Sequence, residues 1–132
     1  MSVLIELLKT TQNHLIRDAA ALALRDLKDD RAITPLVSLI KDPKTARHRG
    51  TLVYALGVFD NAVILPFLVD LAMTSNFDTR HEAFLAIEST FSVIDEDVLQ
   101  NCLKKVEDAL TQTSGERAEW LTELIDLLNE WN

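Results

Sequence analysis

The segment TRHEAFLAI, residues 79–87, is the part of the chain most like an active-site helix. A helical zinc hydrolase site needs His-Glu-x-x-His, because residues four apart share a helix face and can converge on one ion while the glutamate serves as base. Here His81 and Glu82 stand in place, but Leu85 occupies the position of the second histidine. The zinc pair is therefore missing. His14 and His48 lie elsewhere in the chain, and no spacing draws them toward His81. The lone cysteine, Cys102, lies in NCLKKV with nothing basic arranged to lower its pKa, so it reads as a buried structural thiol. Three glycines in the whole chain cannot make a phosphate-binding loop, and no serine sits in a nucleophile elbow. We expect no catalytic residues, no metal and no cofactor.

Composition narrows the remaining classes. The 132 residues are 48% hydrophobic, enough for a core and too apolar for disorder. The net charge of −8 argues against a general nucleic-acid binder, which needs a basic surface. The acidity is uneven. Residues 78–132 hold thirteen acids and four bases, net −9, whereas residues 1–77 hold eight acids and nine bases, net +1. Such a half serves either as a solubilising end or as a docking surface for a basic protein. No apolar run approaches the length of a membrane span, and MSVLIELLK lacks the basic region of a signal peptide. With a single cysteine, the expectation is a soluble protein of a reducing cytoplasm.

Helices must position whatever surface does the work. Apolar residues recur at three and four rather than two, and no Asn-Gly or Asp-Gly hairpin turn occurs. The pattern predicts eight helices, over residues 2–9, 12–27, 31–41, 45–59, 61–73, 78–92, 95–111 and 115–131. Asp29-Asp30, Asp42-Pro43, Asp60-Asn61, Ser75-Asn76, Asp95 and Ser114-Gly115 separate them and supply capping or turn residues. The even-numbered helices share a register. Arg17, Arg49, Arg80 and Arg117 each lie near a start, with Ala20, Leu52, Ala83 and Trp120 three residues on. Ala23-Leu24, Ala55-Leu56, Ala86-Ile87 and Glu123-Leu124 follow six and seven residues on. Pro35-Leu36 and Pro66-Phe67 repeat in the same way in the odd helices. A period of 31–32 residues marks stacked helix pairs.

RDAAALALRDLKDDRAITPLVSLIKDP and RGTLVYALGVFDNAVILPFL resemble HEAT repeats, specifically the short variety of phycobilisome-lyase-type proteins. The likeness is good over residues 12–92 and weak in the last pair, where Glu123 replaces the alanine. The resemblance implies a right-handed α-solenoid of four helix pairs (2–27, 31–59, 61–92 and 95–131) in one domain, with the second helix of each pair on a concave binding side. Arg-His-Glu-Ala also resembles part of the di-iron site of deoxyhypusine hydroxylase, another HEAT-like protein. That site needs several His-Glu pairs, and the equivalent positions here are Asp18-Ala19, Gly50-Thr51 and Ala118-Glu119. HEAT-like DNA glycosylases line the concave side with bases and aromatics, where this chain offers mainly Arg25.

Counted from each arginine, positions +3, +6, +7 and +10 fall in one arc that reads as core. The opposite row holds Asp18, Leu22, Arg25 and Asp29, then Gly50, Tyr54, Gly57 and Asn61, then His81, Leu85, Glu88 and Ser92, then Ala118, Thr122, Ile125 and Asn129, with Val53 and Phe84 flanking. Leu22, Tyr54 and Leu85 occupy the same level of three helices. They form either an apolar contact ribbon around a tyrosine or, if the array curls, ordinary core. The expected partner-binding residues are thus Leu22, Arg25, Gly50, Tyr54, Gly57, His81, Phe84, Leu85 and Glu88. The expected function is non-enzymatic docking of a protein with a basic surface, as an inhibitor or immunity protein for a basic toxin. The alternative is a lyase-like or chaperone subunit for a cofactor-bearing protein. The apolar first helix, SVLIELLK, makes the N-terminal end the place for a weak homodimer if the chain is not a monomer.

Overall fold

A computed structural model describes residues 3–131 of the chain. Eight α-helices and no strand occur among the described residues, the helix-pair order of an α-solenoid. They are α1 (Val3–Thr10), α2 (His14–Leu27), α3 (Ile33–Lys41), α4 (Gly50–Leu56), α5 (Leu65–Thr74), α6 (Phe77–Glu88), α7 (Glu96–Leu110) and α8 (Glu116–Asn129). The expected start of the first helix at residue 2 lies outside the described residues. The chain divides into two compact units, residues 1–59 and 60–132.

In the first unit α1 packs on α2 and α3 on α4, and the pairs join through α2–α4 and α1–α3. In the second, α5 packs on α6 and α7 on α8, and α5 also meets α7. The stops between helices are those the sequence signals. The Asn13 side chain accepts from the Leu15 and Ile16 amides at 2.9 and 3.3 Å, relieving two donors that the helix start leaves bare. Asn76 does the same for Thr79, and Asp95 for Asp97 and Val98.

The fourth helix departs from expectation. A helix over 45–59 was expected, and α4 covers only Gly50–Leu56. Asp42 caps a separate 3-10 turn, Pro43–Thr45, and the buried Thr45 hydroxyl donates to the Leu39 carbonyl at the end of α3. Those bonds hold the chain in a turn where helical periodicity continues in the sequence. Arg49 thereby becomes the N-cap and Gly57 the C-cap. Gly50 and Gly57 bracket a short helix instead of interrupting a long one, so neither carries the usual cost of a glycine in a helix interior.

Burial corrects the counted core arc by a fraction of a turn. Ala20, Leu24, Leu52, Ala55, Leu56, Ala83, Ala86, Ile87 and Leu124 are buried as expected. Ala21, Val53 and Leu121, each four residues after the repeat arginine, are buried as well. Val53 therefore belongs to the core and does not flank an exposed ribbon. Leu27, expected in the core, is exposed. Position +4 lies next to +7 and +11 around a helix, so the buried stripe is centred closer to +4 than counting from +3 and +6 suggests. Cys102 is buried on α7, and burial pushes its thiol pKa up, as a structural thiol requires.

Two backbone conformations generate predictions. Lys28, the C-cap of α2, has φ 53° and ψ 41°, a left-handed conformation that costs a side chain about 1–2 kcal/mol. Lys28→Gly should raise unfolding stability by about 1 kcal/mol, read as a higher urea midpoint at unchanged slope. Gly115, ahead of α8, has φ 73° and ψ −147°, a region close to glycine-only. Gly115→Ala should cost about 1–3 kcal/mol by the same measurement, although no atom lies within 4 Å of the new methyl position.

Candidate functional site

In the first unit, α2 and α4 lie side by side and carry four of the expected contact residues between them. Leu22 and Arg25 are one turn apart on α2, as Gly50 and Tyr54 are on α4. The Arg25 guanidinium sits over the Tyr54 ring, 4.2 Å from its centre. A cation over an aromatic face is attracted by the ring quadrupole, so this contact fixes the ring while leaving its edge available. Tyr54 remains 41% exposed and Leu22 37%. Both stand clear of the core. No atom lies within 4 Å of where a Gly50 side chain would begin, whereas at Gly57 the new carbon would meet the Tyr54 carbonyl oxygen at 3.2 Å. Gly50 thus borders open space beside Tyr54, and Gly57 closes the helix end against its own backbone.

The same unit holds a pair that the sequence reading missed. His14 opens α2 and His48 lies in the turn before α4, yet their rings stack with centres 3.9 Å apart. Their positions relative to Arg17 and Arg49 differ by two residues, which hid the match. The turn that shortens α4 supplies the missing shift. Asp18 faces them. Burial raises its carboxyl pKa, opposed by the positive pull of His14, His48 and Arg17.

In the second unit α6 carries His81, Phe84, Leu85 and Glu88. His81 lies parallel to Phe77, their ring centres 6.2 Å apart, and pairs with no second histidine. Leu85 is 42% exposed. Phe84 turns toward α8 and meets Trp120 at 5.2 Å between ring centres. Trp120 in turn donates its indole N–H to the Ala72 carbonyl of α5 at 2.7 Å, and the Arg80 guanidinium lies 5.4 Å from its ring centre. The fourth repeat arginine, Arg117, donates to the Met73 carbonyl at the end of α5. Glu123, in the place of the family alanine, avoids the core. Leu121, Leu124, Leu127 and Leu128 are buried in its stead, and Glu123 reaches solvent beside Glu88.

No cluster of three or more metal-ligating side chains is present among the described residues. No helix among them is long and apolar enough to cross a membrane. The arrangement offers surfaces with anchored aromatics and exposed charge. Exposed apolar residues at Val63, Phe91 and Val93 also escaped the sequence reading. Val63 and Phe91 fall within the helices expected over 61–73 and 78–92, but α5 begins only at Leu65 and α6 ends at Glu88, which leaves both in connecting segments with Val93.

Neither the curated proteins nor the solved structures contain a significant match to the chain. Residues 1–57, which span α1 to α4, match the family model described as HEAT repeats, and the helix-pair order continues beyond them. Over those residues the chain is similar to HEAT repeats.

Proposed function

We propose that this protein is a non-enzymatic docking module that binds a protein partner on the faces of its second helices, centred on Tyr54. HEAT repeats are in general protein-interaction modules. The observation that carries the proposal is the Arg25–Tyr54 pair. It is an aromatic side chain held in place by a cation yet 41% exposed, beside an exposed leucine and the open ground at Gly50. Tyrosine and arginine are the residues that most often dominate an interface, and a pre-positioned ring loses little freedom on binding.

On this reading Leu22, Arg25, Gly50, Tyr54 and Gly57 form the contact of the first unit. His81, Phe84, Leu85 and Glu88 form that of the second. The partner has a basic surface, matched by the acidic C-terminal half, and the role is that of an inhibitor or immunity protein for a basic toxin in a reducing cytoplasm. The lyase-type character of the repeats supports a second reading, assembly of a cofactor-bearing protein. That reading requires the purified chain to bind a bilin in titration, and a flat titration would exclude it.

Affinity capture with the tagged chain, followed by measurement with the purified partner, tests the first reading. Tyr54→Ala should cost about 2 kcal/mol of binding with the helical spectrum intact. Adding Leu85→Ala should weaken binding further. Unchanged affinity in the folded double variant would overturn the site. Gly50→Ala should stabilise the fold by about 0.4–1 kcal/mol while weakening the complex, because the added methyl rigidifies the chain yet intrudes on the approach to Tyr54. A destabilised Gly50→Ala protein would instead give that glycine a packing role.

A further inference from the structure

The second unit contains a groove of about 290 Å³ between α6 and α8. Its floor is Phe84 and Leu127, and its walls are Glu88 from α6, Glu123 and Asp126 from α8, and Glu130 at the C-cap of α8. Leu127 is buried and Phe84 is half-buried against Trp120, so the floor is a fixed apolar surface. The four carboxylates are exposed around it. Residues 123, 126 and 127 share one stripe of α8 that the C-cap Glu130 continues, which places the three acids successively one turn apart, where like charges repel.

Among the described residues no base of the unit forms an ion pair with them. Of its four bases, Lys105 pairs with Asp70 at 2.7 Å, Arg80 stacks on Phe77 and Trp120, and Arg117 reaches the Met73 carbonyl. Lys104, the remaining base, sits on α7. No ion pair among the described residues involves a groove carboxylate.

We propose that this groove receives a lysine or arginine side chain from the partner protein. Three features select that occupant. The volume lies at the lower edge of small-molecule sites, room for one long side chain more than for a cofactor. The apolar floor suits an aliphatic stem, and Phe84 offers a ring to a cationic head. The carboxylates are too dispersed to gather on a bare metal ion, but they suit a group that donates several hydrogen bonds in different directions. The inference rests on the protein-docking reading and supplies the chemistry of the contact in the second unit.

The test uses the full chain, labelled for amide NMR, at neutral pH and low salt. It is titrated with capped alanine pentapeptides whose central residue is arginine, lysine, leucine or glutamate. The arginine and lysine peptides should shift the amides of residues 84–88 and 123–130, and the leucine and glutamate peptides should not. The double variant Glu123→Gln with Asp126→Asn should weaken arginine-peptide binding about fivefold, the loss expected of two exposed charge contacts. Added salt should weaken it further.

Equal shifts with the leucine peptide would overturn the proposal. So would shifts spread evenly over the acids of α7, or undiminished binding to the double variant. Spermidine or calcium displacing the arginine peptide at lower concentration than the peptide itself would assign the groove to a free cation, and would likewise overturn it. These outcomes are separable from the Tyr54 test. Loss of partner binding in Tyr54→Ala with no peptide response leaves the docking module standing and removes the groove. A groove that binds arginine while Tyr54→Ala changes nothing removes the Tyr54 site.

Discussion

Every feature of this fold depends on close approach between helices, which requires small side chains at the lines of contact. Ala20 and Ala21 on α2, Ala55 on α4, and Ala83 and Ala86 on α6 are all essentially inaccessible to solvent. An alanine there brings the helix backbone toward its neighbour, and the flanking Leu24, Leu52, Leu56 and Ile87 then fill the space to either side. A larger side chain at such a position would force the pair apart and uncover leucines along its length, at a typical cost of 1–3 kcal/mol. The opposite side of each second helix is set by the same geometry. Once the stripe around +4 and +7 is committed to the core, +5 must face outward. Leu22, Tyr54 and Leu85 are exposed for that reason.

The stripe also explains which parts of the structure were legible in the sequence. Alanines and leucines at fixed distances from Arg17, Arg49 and Arg80 impose helical periodicity strongly enough to set the class, the eight helices and most of the buried residues. Boundaries marked by a side-chain cap, such as Asn13, Asn76 and Asp95, could be placed almost to the residue. The failure at α4 is informative because its cause is not periodic. Thr45 bonds back to the end of α3, and a single buried hydroxyl overrides a pattern that otherwise continues. The same turn brings His48 onto His14, so one unforeseen bond accounts for both misses. Glu123 departs from the repeat pattern for another reason. A family pattern fixes which positions are usually buried, but α8 meets its demand for apolar surface with Leu121 and Leu128, freeing Glu123 for the surface.

Leu22, Tyr54 and Leu85 were legible in their exposure and not in their contacts, whereas Asn61, counted outward, is buried and donates to the Ala86 carbonyl. Counting placed Arg25 and Tyr54 on their respective outer sides, and nothing in the counting placed the guanidinium over the ring. That pairing depends on the lateral fit of α2 and α4, which the buried alanines determine. Phe84 followed similar logic in the second unit. It stands at +4, the position buried in α2 and α4. On α6 that position is only half-buried, because its neighbour α8 presents Trp120 and a carboxylate where another repeat would present an alanine.

The distribution of charge follows from the layering of the helices. Lys105 and Asp70, the ion pair described in the second unit, belong to α7 and α5, the first helices of their pairs. The acids of α6 and α8 have no such counterpart, and Arg80, the base nearest the groove in sequence, is committed to aromatic faces. A surface of this kind works against folding, since neighbouring like charges raise the energy of the compact state. Solubility alone would be served as well by the same acids scattered among bases over every face. Their concentration along one groove, over an apolar floor, creates a local negative field that a cation with an apolar stem would offset. The Arg25–Tyr54 contact in the first unit has the same chemistry in miniature, a guanidinium lying on an aromatic ring, supplied there by the chain itself and in the second unit left for another molecule to complete.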